Sequence, residues 1–205
     1  GWFSGLPALA TLSRGLGAMK VNTAIGLLSV ALAVALSRLP VTNRWRLPAI
    51  RLTSGVAVFV GVATIVQHVS GWDLSIDQLL IADPDDLVSP GRMALTAAVG
   101  ILLTALSVWW AERPGGYDIA QGCLAAAALV ATFDSVGFVF GLQRTLVASP
   151  PGVMGAPTAL ALLALCLAVL FARPYDGVME AVIDSGPGGL LIRQLLPAVV
   201  LVPLV

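Results

Sequence analysis

The sequence predicts an all-α, polytopic membrane protein of about six transmembrane helices, arranged as three tandem hairpins of like orientation. Three observations carry that expectation. Hydrophobic residues make up 58% of the 205 positions and charged residues 11%, whereas a soluble domain carries roughly 25% charged residues. The apolar residues fall in long runs separated by charged or glycine- and proline-containing loops. One of those runs, Met19 to Val34, recurs twice further along the chain.

Composition excludes several classes. The 11 basic and 11 acidic residues cancel, and nucleic-acid binding needs a basic excess, so no nucleic-acid partner is expected. Cys123 and Cys166 both sit inside apolar runs. A disulfide framework or zinc site needs paired, accessible thiols, and these two read as buried small hydrophobes. The chain opens at Gly1 without a basic signal-peptide segment and closes at Val205 inside an apolar run. It reads as a section of a longer polypeptide.

Residues 1–20 are interrupted by Gly5, Pro7, Arg14 and Lys20. They are expected to lie along the outer face of the membrane, anchored by Trp2 and Phe3, because a span takes about 20 mostly apolar residues. The transmembrane domain is expected over 21–205. Its first span, 21–37, is uncharged and stopped by Arg38 and Pro40. The second, 52–71, carries Gly55, Ala57, Gly61 and Ala63, small residues that allow close helix approach. The third, 93–111, ends in Trp109-Trp110, and the fourth, 119–143, contains Asp134. The fifth, 157–172, precedes Arg173-Pro174. A polar, glycine-rich connection then leads to a sixth span, 190–205, incomplete at the end of the chain.

The loop between the first two spans holds Arg38, Arg44, Arg46 and Arg51 and no acid. Short loops rich in Lys and Arg stay cytoplasmic, which puts this loop inside and residue 1 outside. The following loop is acidic, with Asp73, Asp77, Asp83, Asp85 and Asp86. The repeat agrees with this orientation. Each copy runs from a methionine to a basic residue, Met19 to Arg38, Met93 to Arg113 and Met154 to Arg173, and each is followed by a returning span. Such parallel repetition differs from the inverted repeats common in secondary transporters. The Thr-Ala starts place a small hydroxyl in a first turn, where it is expected to satisfy free backbone N–H groups.

Several blocks resemble one family, the multi-span amino-terminal membrane sensor region of bacterial histidine kinases and diguanylate cyclases. Met19-Lys20-Val21-Asn22-Thr23-Ala24 is similar to a Met-Lys-x-Asn-Thr-Ala pattern of that family. Gly71-Trp72-Asp73-Leu74-Ser75-Ile76-Asp77-Gln78-Leu79-Leu80 resembles a second block, with Ser75 where glycine is common. Pro90-Gly91-Arg92-Met93, Ser185 to Gly189 and Leu195-Leu196-Pro197 add to the likeness. The second copy departs from the pattern: Met93-Ala94-Leu95-Thr96 is one residue short and lacks the asparagine. The resemblance implies eight spans, one before Gly1 and one after Val205, followed by cytoplasmic PAS, GAF, kinase or cyclase domains.

The candidate sensing residues are His68, Trp72, Asp73, Asp77, Asp134 and Arg144, all expected near the outer face. His68 is the single histidine, open to reading as a metal or haem ligand, a pH-responsive group or an interfacial side chain. A metal site needs three or four ligands, and neither cysteine is suitably spaced, so no metal or cofactor is expected. Asp134 is the one acid within a span, a costly and often functional placement. It lies about 15 residues into its span, roughly 22 Å along the helix, where it is expected to line a polar cavity, pair with Arg144, bind a signal or sit hydrated near the interface. The acidic loop lacks EF-hand spacing, and Gly186-Pro187-Gly188-Gly189 lacks the Gly-Lys-Ser/Thr of a phosphate loop.

No nucleophile–base–acid set can be assembled, so no enzyme activity is expected of this region. The expected function is a transmembrane sensory or signal-relay module of a bacterial inner-membrane signalling protein. Its expected partners are membrane lipids and a second copy or a larger membrane complex. The alternative is a non-catalytic subunit packing against such a complex through Trp109, Trp110 and Phe171, with its lipids or pigments. A transporter ranks third, because intramembrane charge is scarce.

Overall fold

The computed structural model describes residues 19–72, 91–140, 154–172 and 177–201. All regular structure among the described residues is helical. The helices are α1 (Val21–Ser37), α2 (Arg46–Ser70), α3 (Leu95–Ala111), α4 (Tyr117–Val139), α5 (Ala156–Ala172), α6 (Gly177–Ile183) and α7 (Pro187–Leu201). By length and composition, α2 and α4 are long and apolar enough to cross a membrane. Helices α1, α3 and α5 are equally apolar but have 17 residues each, about 26 Å at the α-helical rise. The expected six spans thus reduce to two helices that meet the length criterion and three shorter ones.

The elements begin and end for local reasons. Helix α2 starts at Arg46, six residues before the expected start at 52, because Pro48 falls in its first turn, where proline costs no hydrogen bond. Gly71, at φ 70°, closes α2 by returning its N–H to Gln67 O, a left-handed position that glycine fills without strain. The expected threonine caps do not form. The caps of α1, α2, α3 and α4 are Lys20, Trp45, Ala94 and Gly116, none with a side-chain cap bond. Thr23 and Thr158 are buried instead. The stretch after Arg173 contains the short helix α6, which was expected to be an irregular connection, and α7 starts at Pro187 rather than 190.

Helices α1, α3 and α5 touch one another pairwise, α2 packs on both α1 and α3, and α4 on both α3 and α5. Two of the three expected hairpins are therefore formed. Among the described residues α7 packs chiefly on α6, not back along α5, so the third is not seen there. The repeat sets the register of the central trio. Seven and eight residues after each methionine stand Gly26-Leu27, Gly100-Ile101 and Ala161-Leu162. A Cβ on Gly26 would lie 3.0 Å from Ile101 Cδ1, and one on Gly100 would overlap Leu162 Cδ2. The small residue of one copy thus receives the large residue of the next. Leu27, Ile101 and Leu162 are all buried, and dense interiors hold such knobs tightly. Gly61 of α2 works the same way, its open side 3.0 Å from Ala98 O and Leu102 Cβ.

The trio ends in a cluster of arginines. Arg46 donates to Ser37 O at 3.0 Å and pairs with Glu112 at 2.9 Å. Arg38 donates to Ala172 O at 2.7 Å. These guanidiniums satisfy last-turn carbonyls and face the negative ends of α1 and α5. A cavity of about 10 Å³ lies among them, lined by Val34, Val108 and Val169, by Ser37, Ala111 and Ala172, and by Glu112. Each trio of lining residues occupies one repeat position, and the space suits a single water.

Candidate functional site

The opposite, methionine end of the bundle holds the candidate site. Met154 precedes α5, and its N–H donates both to Thr96 Oγ1 on α3 at 3.1 Å and to Asp134 Oδ2 on α4 at 3.3 Å. One buried amide therefore joins three helices. Asp134 is 4% exposed, so its carboxylate is set within the bundle. Its carboxylate is close to the start of α5, where the helix dipole favours negative charge. Thr96 supplies the hydroxyl that the sequence suggested for capping, but it serves the next repeat instead of its own helix.

A groove of about 550 Å³ opens beside this junction, lined by Thr96, Leu129, Val130, Thr132, Phe133, Asp134 and Val136. Thr132 turns its hydroxyl to Ala128 O at 2.7 Å, so Thr96 and Asp134 are the groove's polar groups that face across helices. Leu129 and Phe133 are exposed and form apolar walls. A carboxylate at the base of an apolar groove can accept a hydrogen bond from an amine or hydroxyl while the walls take a hydrocarbon chain.

His68 lies in the last turn of α2, half-buried, with Nε2 3.0 Å from Met93 O. A carbonyl only accepts, so Nε2 carries the proton. This bond ties α2 to the start of α3, as Asp134 ties α4 to the start of α5. His68 and Asp134 thus hold successive methionines, Met93 and Met154, and do not share one site. Trp72 is exposed and donates its N–H to Ser70 Oγ at 3.2 Å. Asp73, Asp77 and Arg144 lie outside the described residues. Among the described residues, no group of three His, Cys, Asp or Glu is placed to hold a metal ion.

Sequence reasoning missed two sets of residues. The sequence offers Thr96 as an acceptor for its own helix start, not for the Met154 N–H of the next repeat. Arg38 and Arg46 were read for membrane orientation, although Arg46 also forms a half-buried pair with Glu112. A signal for that pair was present: an acid directly after the apolar run of the second repeat, where Arg38 follows the first. No protein-family model, no curated protein and no solved structure matches the chain.

Proposed function

We propose that the chain is a transmembrane sensory or signal-relay module of a bacterial inner-membrane signalling protein, of the histidine-kinase or diguanylate-cyclase type. In this reading the apolar helices cross the bilayer with the arginine end inside and the methionine end outside. The two long apolar helices support the membrane assignment, and the family likeness of the Met19–Ala24 and Gly71–Leu80 blocks supports the sensory one.

The single observation that carries the sensory reading is the junction of Asp134, Thr96 and Met154 beside the open groove. A ligand bonding to Asp134 competes with the Met154 N–H and so bears on how α4 holds α5. Helix α5 ends at the arginine cluster, where Arg38 holds Ala172 O. A ligand shifts such packing only by binding one arrangement better than the other. The groove fits an amphiphile with an amine or hydroxyl head.

The test is a titration of the purified protein in lipid nanodiscs with long-chain alkylamines and their N-acetyl counterparts. Saturable amine binding that weakens at least about tenfold in Asp134→Asn, the loss of one charged hydrogen bond, supports the reading. Equal binding to wild type and variant contradicts it. Stoichiometric copurification with a larger complex would favour the subunit reading instead.

A further inference from the structure

We propose that the surface between α2 and α3 at the arginine end is a binding site for the headgroup phosphate of an anionic phospholipid, formed by Arg51, Arg113 and Trp109. This rests on the membrane reading but not on the groove at Asp134.

Trp109 is half-buried, and a Cβ on Gly55 of α2 would lie 3.8 Å from its Cζ3. The indole is therefore seated against α2 at Gly55. Arg51 stands four residues before Gly55, one turn closer to the arginine end on the same helix face. From the other side, the Arg113 guanidinium lies over the Trp109 ring at 5.8 Å and over Trp110 at 4.6 Å. One guanidinium, from the turn after α3, thus stacks on the indole, and Arg51 stands one turn along α2 from where the indole is seated.

Their charges are available. Arg51 and Arg113 are both exposed, and neither forms an ion pair among the described residues. Glu112 is held by Arg46, and Asp118 is paired with neither arginine. Among the described residues the other arginines of this end stand elsewhere: Arg38 and Arg46 donate to helix carbonyls, and Arg44 lies in the loop before α2, over the exposed Trp45 at 5.4 Å. Arginine suits phosphate because its planar fork donates two parallel hydrogen bonds.

The surroundings favour a lipid over a free anion. Leu52, Val56 and Phe59 of α2 are exposed and run from beside Arg51 toward the middle of the helix, a track for an acyl chain below the headgroup. Basic pockets between helices on the cytoplasmic side are where anionic headgroups are held, and tryptophan prefers the same depth.

The experiment uses the full chain, first incorporated into phosphatidylcholine vesicles and vesicles containing phosphatidylglycerol. It is then delipidated in detergent and offered each lipid, with retained lipid counted by native mass spectrometry. Wild type should retain phosphatidylglycerol in preference to phosphatidylcholine. Arg51→Gln and Arg113→Gln should each lower that retention about fivefold, and Arg44→Gln should not. Equal retention of both lipids, an effect of Arg44→Gln matching the other two, or full competition by millimolar inorganic phosphate would overturn the proposal. Should the variants misfold, brominated lipids decide with the wild type alone: stronger tryptophan quenching by the anionic species is expected, and equal quenching contradicts it. A chain that enters neither vesicle defeats the membrane reading itself, whereas one that enters both without lipid preference defeats only this site.

Discussion

The Asp134 carboxylate accepts the Met154 N–H at 3.3 Å, from the return arm of one repeat to the first residue of the next. His68 makes the matching link one repeat earlier, to Met93 O at 3.0 Å. The second and third methionine starts are thereby each fixed by a polar side chain of the arm before them. Buried polar links of this kind cost little while satisfied and much when half broken.

The links at Met154 are shared. Thr96→Val or Asp134→Leu alone leaves one acceptor for the Met154 N–H, while the double variant removes both. Each single change should cost about 1 kcal/mol, and the double about 3 kcal/mol, more than the sum of the two, because it leaves the buried N–H without either acceptor. Thermal midpoints in detergent, compared across the cycle, check this; a double variant no less stable than either single one would contradict it.

His68 acts as a donor to a carbonyl. His68→Gln retains an N–H near that reach, whereas His68→Leu removes it and leaves Met93 O poorly satisfied. His68→Leu should lose about 1–2 kcal/mol and His68→Gln less than half of that. The order is measurable by thermal unfolding, and the reverse order would sink the assignment.

The knob-and-hole register is testable at Gly100. Gly100→Val drives two methyls into the place of Leu162, and such overpacking costs about 1–3 kcal/mol. Leu162→Ala costs about 2–4 kcal/mol through a cavity. Combined, the two should be more stable than the sum of their separate effects predicts, since the added volume fills the vacated space. Strict additivity would mean the two residues do not face each other.

At the arginine end, Arg46 and Glu112 are 13% and 7% exposed at their side chains. Removing one member of a buried pair leaves an uncompensated charge and costs about 3–5 kcal/mol when burial is complete. Glu112→Ala should therefore cost about 2–3 kcal/mol at this partial burial. Arg46→Met should cost more, since Ser37 O loses its partner too. Midpoints for the two variants test that ranking.

Much of the architecture was legible in the sequence because helices in a low-dielectric environment must be long, apolar and uncharged. The phase of the repeat was also readable: Ile101 and Leu162 hold the same place after Met93 and Met154 as Leu27 after Met19. What the repeat could not show is that Gly26 and Gly100 are the holes for those residues, since a glycine in a helix has several packing reasons. Helix α2 was read too short because charge marked Arg46 and Arg51 as loop, yet a helix end accepts arginines whose heads reach past it. The third hairpin rests on the repeat and on the apolar run from Leu190, and the short helix Gly177–Ile183 intervenes between its two arms. Asp134 was legible as a candidate because it is the single acid of its run. Its donor, Met154, and the acceptor that shares it, Thr96, were not, being 20 and 38 residues away in sequence.

The most direct test of the signal-relay claim adds ligand at the methionine end of the bundle and reads the response at the arginine end. Spin labels are placed at Asn43 and Glu180, both exposed, in a protein carrying Cys123→Ser and Cys166→Ala. Electron–electron resonance in nanodiscs then reports the distance between them with and without saturating alkylamine. The account predicts a changed distance distribution in this background and no change when Asp134→Asn is added. An unchanged distribution with the amine demonstrably bound would contradict it.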